Sequence, residues 1–188
     1  MVNYIQKGLS KRQIAKELMK ELAKASMVAE FDFMGSPYMG DPDSKLVIVE
    51  FMDFECPYCK VVSKEAQALA KKHGAALFIK HLPIDHHKHA HLAAKASLAA
   101  DRQGRFWEVY TALFDNQTSL SEELIHQLAK GAGLDMKRYK KDLESPELDV
   151  LLKRDEQEAD RFQVEGTPSF FLNGKPVEFD QLEERLAQ

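Results

Sequence analysis

Leu46-Val47-Ile48-Val49-Glu50-Phe51-Met52 is a near-continuous β-rich apolar run, and it leads almost directly into Cys56-Pro57-Tyr58-Cys59. A run of this kind is the pattern of a central strand buried on both faces of a sheet. Beyond the cysteines, Val61, Ala66, Leu69 and Ala70 recur at helical spacing up to Gly74. Ala76-Leu77-Phe78-Ile79-Lys80 then returns to strand character. The order β-α-β favours a parallel pair joined by a right-handed crossover, with both cysteines at the junction of the first strand and its helix.

That junction gives the two sulfurs different roles. Cys56 falls at the helix N-terminus, where free N–H groups and the macrodipole favour an anion. Pro57 suits the first helical position, since its missing N–H has no partner there. The thiolate is the nucleophilic form of cysteine. Cys59, one turn on and more protected, is placed to resolve a mixed disulfide. We therefore expect Cys56 as nucleophile and Cys59 as resolving thiol.

The chain has 2 cysteines, too few for a disulfide framework, and no second Cys-x-x-Cys to complete a zinc site. A mixed site with histidines from His81 to His91 would conflict with the strand-helix placement, so no metal or cofactor is expected. The 188 residues and 44% hydrophobic content allow one substantial core, or one core with an inserted subdomain. A net charge of -4 gives no basic footprint for nucleic acid. The longest apolar run is far too short to span a bilayer. Met1 to Gly8 lacks the features of a secretory signal, which leaves a cytosolic protein or a mature fragment with an added start Met.

Around this unit the chain is mostly helical. Ser10 and Gln13 make a capping box for an amphipathic helix from about Ser10 to Ala29. Gly35, Pro37, Gly40 and Pro42 mark a loop, and residues 1–42 read as an extension of a main domain at 43–188. Five helices are expected within about 87–163: His87–Arg102, Phe106–Phe114, Ser121–Ala132, Met136–Leu143 and Pro146–Phe162. Pro168 to Leu172 is strand-like, Asn173-Gly174 signals a hairpin, and Pro176 to Phe179 can return. Asp180 is a candidate cap for a last helix. The fold class is α/β, with a helical block between the two halves of one sheet.

Three segments carry a family resemblance: Val49 to Lys60 with the cysteines, Gln103-Gly104-Arg105-Phe106-Trp107-Glu108, and Val164 to Gly174 with Gly166-Thr167-Pro168-Ser169-Phe170. From about Asp43 to the C-terminus the chain resembles the DsbA-like branch of the thioredoxin superfamily. It shares features with DsbG- and ScsC-like members of the disulfide isomerase type. The resemblance implies a thioredoxin fold with an inserted helical subdomain and an N-terminal helical extension. It implies a cis Pro168 facing the sulfurs, Thr167 beside Cys56, and a substrate-binding surface that includes Pro57 and Tyr58. It places Glu50 behind Cys59 as an aid to proton transfer, and Lys80 is a plausible partner for that carboxylate.

The implied activity is thiol–disulfide exchange on cysteines of protein substrates, with a redox partner protein to reset the pair. The alternative is an oligomeric isomerase or reductase with chaperone-like peptide binding. The strongest oxidants of the family carry His between the cysteines; Tyr58 here predicts an acidic but less extreme Cys56 and a less oxidising couple. A disulfide oxidant belongs in an oxidising space, so the resemblance implies a periplasmic or extracytoplasmic site, with a cytoplasmic one still open. Glu55 reads as a solvated loop charge. His86, His87, His89 and His91 read as a solvated helix start, although His87 and His91 would share a helix face. The helix at 10–29 can pack on its own domain or join subunits in a homo-oligomer.

Overall fold

Strand β2 (Val47–Met52) is buried on both faces and forms the centre of a five-stranded sheet in a computed structural model that describes residues 10–26 and 28–188. The strand order is β1-β3-β2-β4-β5. β2 runs parallel to β3 (Ala76–His81) and antiparallel to β4 (Ser169–Leu172). The edges are β1 (Tyr38–Met39) and β5 (Lys175–Val177), both antiparallel to their neighbours. Helix α2 (Pro57–His73) makes the crossover from β2 to β3 and ends at Gly74, whose φ of 64° is the left-handed cap that glycine tolerates.

Five helices lie between β3 and β4: α3 (Ala90–Asp101), α4 (Phe106–Asp115), α5 (Glu122–Gly131), α6 (Met136–Leu143) and α7 (Pro146–Arg161). A 3₁₀ turn at Gln117–Ser119 follows α4, and α8 (Phe179–Leu186) closes the chain. Side-chain parity on β2 divides the core in two. Ile48 and Met52 face a layer containing α2, α3, α4 and α8. Val49 and Phe51 face a second cluster with Phe171, Ala159 and Phe162. α3 is buried nearly all round, which explains its run of alanines.

The capping box forms: Gln13 Oε1 accepts from the Ser10 amide at 2.9 Å. The helix it starts, α1 (Lys11–Ser26), packs on β5 and stops short of Ala29. The expected loop around Pro37 instead contains β1, and the boundary at residue 42 cuts through packed structure. Phe31 sits against Phe162, Phe171 and Phe51, with ring centroids 4.9, 5.1 and 5.8 Å apart. The Ala29 amide donates to the Gly174 carbonyl at 2.7 Å, so close that a Cβ at Gly174 would lie 2.4 Å from the Ala29 carbonyl oxygen. Asn173 and Gly174 have φ of 50° and 76°, the hairpin geometry their sequence predicts. The return strand is Lys175–Val177, and Glu178 rather than Asp180 stands at the cap of α8.

Helix α3 begins at Ala90, not His87. The reason is competition for the preceding backbone. Asp53 takes the Ile84 amide at 2.8 Å and His87 Nδ1 at 2.7 Å, and Glu55 takes the His89 amide at 2.5 Å. His87 and His91 therefore do not share a helix face. Glu55, expected as a solvated charge, is half-buried as a clamp on the start of α3.

Candidate active site

Cys56 stands at the N-cap of α2 with extended backbone, and Pro57 is the first helical residue, as the sequence predicts. This aims the free amides of the first turn at the sulfur. The Cys56 thiol donates to the Thr167 carbonyl at 3.2 Å. Its pKa is lowered from 9 to about 5, first by the hydrogen bond from the Cys59 thiol, with help from the Cys59 and Tyr58 amides, and against the cost of burial. Cys59 is fully buried; burial and the neighbouring Cys56 sulfur push its thiol far up, well beyond the ordinary range. One sulfur is poised to ionise and the other to hold its proton. Both are free thiols.

The Thr167–Pro168 bond is cis and immediately precedes β4, beside the cysteines. The Thr167 carbonyl meets Cys56, while its hydroxyl is buried and has no hydrogen bond among the described residues. Tyr58 is 57% exposed and Val61 64% exposed on the outer side of α2. A groove lined by Tyr58, Val164, Pro168, Ser169 and Phe179 runs past the cis-proline.

Glu50 is fully buried on the α2 face of β2, where it accepts a hydrogen bond from Ser63 Oγ. Burial raises its carboxyl to about 8, against the lowering effect of the Ser63 hydrogen bond. Lys80 is not its partner. Lys80 pairs in register with Phe51, so it emerges on the opposite face of the sheet. There its Nζ reaches Glu158 at 2.8 Å, Asp155 at 3.1 Å and the Asp32 carbonyl at 2.5 Å. Period-two alternation decides the matter: neighbours on adjacent strands offset by one residue cannot meet through the sheet.

Two supports were not singled out in the sequence. Gln117 is buried, and its amide donates to the Phe54 and Cys56 carbonyls at 2.7 and 2.8 Å. Asp53 accepts the Glu55 amide at 2.7 Å as well as the bonds to Ile84 and His87. Nothing in composition or period marks a lone Gln 61 residues from the cysteine it steadies. His81 is fully buried near Ser97 and Phe54, and burial depresses its imidazole to about 3. Among the described residues no group of three or more His, Cys, Asp or Glu is placed to hold a metal, and no helix is long and apolar enough to cross a membrane.

Comparison with known proteins places this geometry. The thioredoxin family model matches residues 33–188. A sodium/proton antiporter NhaA of Mycolicibacterium gilvum is 36% identical over 141 residues, covering 72% of this chain but 23% of the antiporter. The chain thus spans under a quarter of the length of the curated relatives it matches. A thioredoxin-like oxidoreductase from Silicibacter pomeroyi superposes with a TM-score of 0.72 at 29% identity, covering 81% of this chain and 91% of that one. The thiol–disulfide exchange protein α-DsbA2 from Wolbachia pipientis shares the fold at a TM-score of 0.74 and 19% identity, covering 81% and 86%. The match over most of its length and the helices set between β3 and β4 agree: this chain belongs to the thioredoxin family, with the fold of its DsbA-like members.

Proposed function

We propose that the chain is a protein thiol–disulfide oxidoreductase in which Cys56 attacks and Cys59 resolves. The observation that carries this reading is the opposite placement of two sulfurs one helical turn apart: Cys56 at the N-cap of α2 against the Thr167 carbonyl, Cys59 fully buried behind it, which lowers the first thiol and pushes the second far up. In the oxidising direction a substrate thiolate attacks Cys56 of the Cys56–Cys59 disulfide, and Cys59 leaves and takes a proton. The second substrate thiolate then attacks the substrate sulfur of the mixed disulfide. A substrate disulfide forms, and Cys56 leaves as the stabilised thiolate. The protein ends reduced by two electrons, and a redox partner protein removes them. Run backwards, the same steps reduce or shuffle disulfides.

Glu50 is the buried acid–base group in this scheme. Pro168 and the Thr167 carbonyl align an extended substrate segment against Cys56, while Pro57 and Tyr58 form the near wall. A second reading, an oligomeric isomerase or reductase that also holds unfolded peptides, is favoured by exposed Tyr58, which lines the groove, and by Val61, exposed one turn further along α2. Chemistry of this kind fits an oxidising compartment such as the periplasm. Insulin-reduction and scrambled-ribonuclease assays test the assignment. Cys56→Ser should abolish both activities, and Cys59→Ser should accumulate mixed disulfides; activity retained in Cys56→Ser overturns it. A redox titration against glutathione should give a couple less oxidising than that of Cys-Pro-His-Cys enzymes.

A further inference from the structure

The buried carboxylate of Glu50 needs a way to exchange its proton. Its neighbours on the flanking strands, Ile79 and Phe170, are buried and apolar. Lys80 faces the other layer. Ser63 approaches from α2 and Tyr110 from α4, and Tyr110 is also within electrostatic reach of Cys59. Among the described residues Oε1 accepts from Ser63 Oγ and Oε2 has no hydrogen bond.

Ser63 is itself buried, yet it also lines a cleft of about 400 Å³ between α2 and α4. Exposed Lys60, Lys64 and Asp115 form the rim of that cleft, and half-buried Gln67 lies further in. The Tyr110 hydroxyl faces Ser63 and Gln67, is buried, and makes no hydrogen bond among the described residues. The cleft shares no lining residue with the groove beside Pro168. The two openings are therefore separate.

We propose that Ser63, with Tyr110 beside it, is the outlet through which Glu50 exchanges its proton with solvent in the α2–α4 cleft while substrate occupies the groove. This rests on the thiol–disulfide reading above. In the resolving step Cys59 Sγ bonds to Cys56 Sγ, and the bond from Cys56 to the substrate sulfur breaks. The electron pair leaves with the substrate sulfur, which is reduced as the two cysteines are oxidised. Glu50, protonated at neutral pH, releases its proton through the Ser63 hydroxyl to cleft water, and the carboxylate then takes the proton lost by Cys59. Ser63 is a positioning residue acting through Glu50, not a group that touches the sulfurs.

The test compares wild type with Ser63→Ala and Ser63→Thr. A mixed disulfide of Cys56 with glutathione is formed, and its Cys59-dependent release is followed by stopped flow across pH. Ser63→Ala should slow release about tenfold or more at neutral pH. Ser63→Thr, which keeps the hydroxyl, should stay close to wild type. The Cys56 thiolate absorbance titration should be unchanged in both. Release at the wild-type rate in Ser63→Ala, or an equal loss in Ser63→Thr, overturns the proposal. A second readout does not depend on redox activity: the infrared band of the protonated Glu50 carboxyl, followed after mixing into D₂O. Its shift should lag in Ser63→Ala. A lag in a protein inert toward glutathione would sink the proposed function and leave the outlet standing; no lag removes the outlet.

Discussion

Burial raises the pKa of Cys59 and Glu50, hydrogen bonds lower that of Cys56 against burial, and the pH dependence of the molecule follows. The folded-state carboxyl of Glu50 is raised from 4.5 to about 8. Below the unfolded value both states hold the proton, so the favourable contribution is intact. As pH rises toward the folded value the unfolded chain has lost its proton and the folded chain has not, so stability falls, by a few kcal/mol at most over the interval. Cys56 acts with the opposite sign, since a lowered thiol pKa adds stability as pH rises. In a Cys56→Ser background, urea unfolding should show declining stability from about pH 5 to 8. Glu50→Gln should flatten that decline and be the more stable variant at pH 9; parallel curves would contradict it. The sequence marked both cysteines and Glu50, because a Cys-x-x-Cys and a charge inside an apolar strand are local signals. It misassigned Lys80, because which face a side chain leaves by depends on pairing register, and it passed over Ser63 and Gln117, whose roles exist only after helices meet.

At the scale of elements, the site is held by the insertion as much as by the strand and helix that carry it. The 3₁₀ turn after α4 reaches the cysteine loop through Gln117, whose amide holds the Phe54 and Cys56 carbonyls. Gln117→Ala leaves the Phe54 and Cys56 carbonyls without that donor. An unmet buried acceptor costs about 1–3 kcal/mol, so thermal unfolding should show a loss of about 2 kcal/mol. The thiolate absorbance of Cys56 should titrate at higher pH as the first turn of α2 loosens. An unchanged titration would confine Gln117 to a purely structural role. The helices of the insertion were legible to within a residue or two, since Ser121, Gly131 and Pro146 punctuate an amphipathic pattern. The start of α3 was not, because Asp53 and Glu55, from another part of the chain, hold the residues before Ala90.

For the whole molecule, the N-terminal region divides at about residue 28. α1 touches the body at β5 and exposes Leu18 and Met19, 44% and 69%. Phe31 and Phe33 instead cover the back of the sheet, with Phe33 stacked 4.0 Å from Phe78. Removing residues 1–27 should leave the unfolding midpoint nearly unchanged. Removing residues 1–35 should cost about 4 kcal/mol, since two half-buried Phe are lost and a fully buried one is worth about 3–5 kcal/mol. Light scattering of the first pair reads the role of α1: a larger mass for the full chain, lost on truncation, supports self-association, and equal masses remove it.

The sequence by itself determined the β-α-β unit, the distinct positions of Cys56 and Cys59, the helical block and the Asn173-Gly174 turn. Each follows from short-range periodicity, capping or turn chemistry. Only the tertiary structure decided that Ala29, Phe31 and Phe33 pack on the back of the sheet, that Lys80 lies across the sheet from Glu50, and that Gln117, Asp53 and Ser63 support the site. Those contacts join residues far apart in the chain, and their existence depends on strand order and face, which no local pattern encodes.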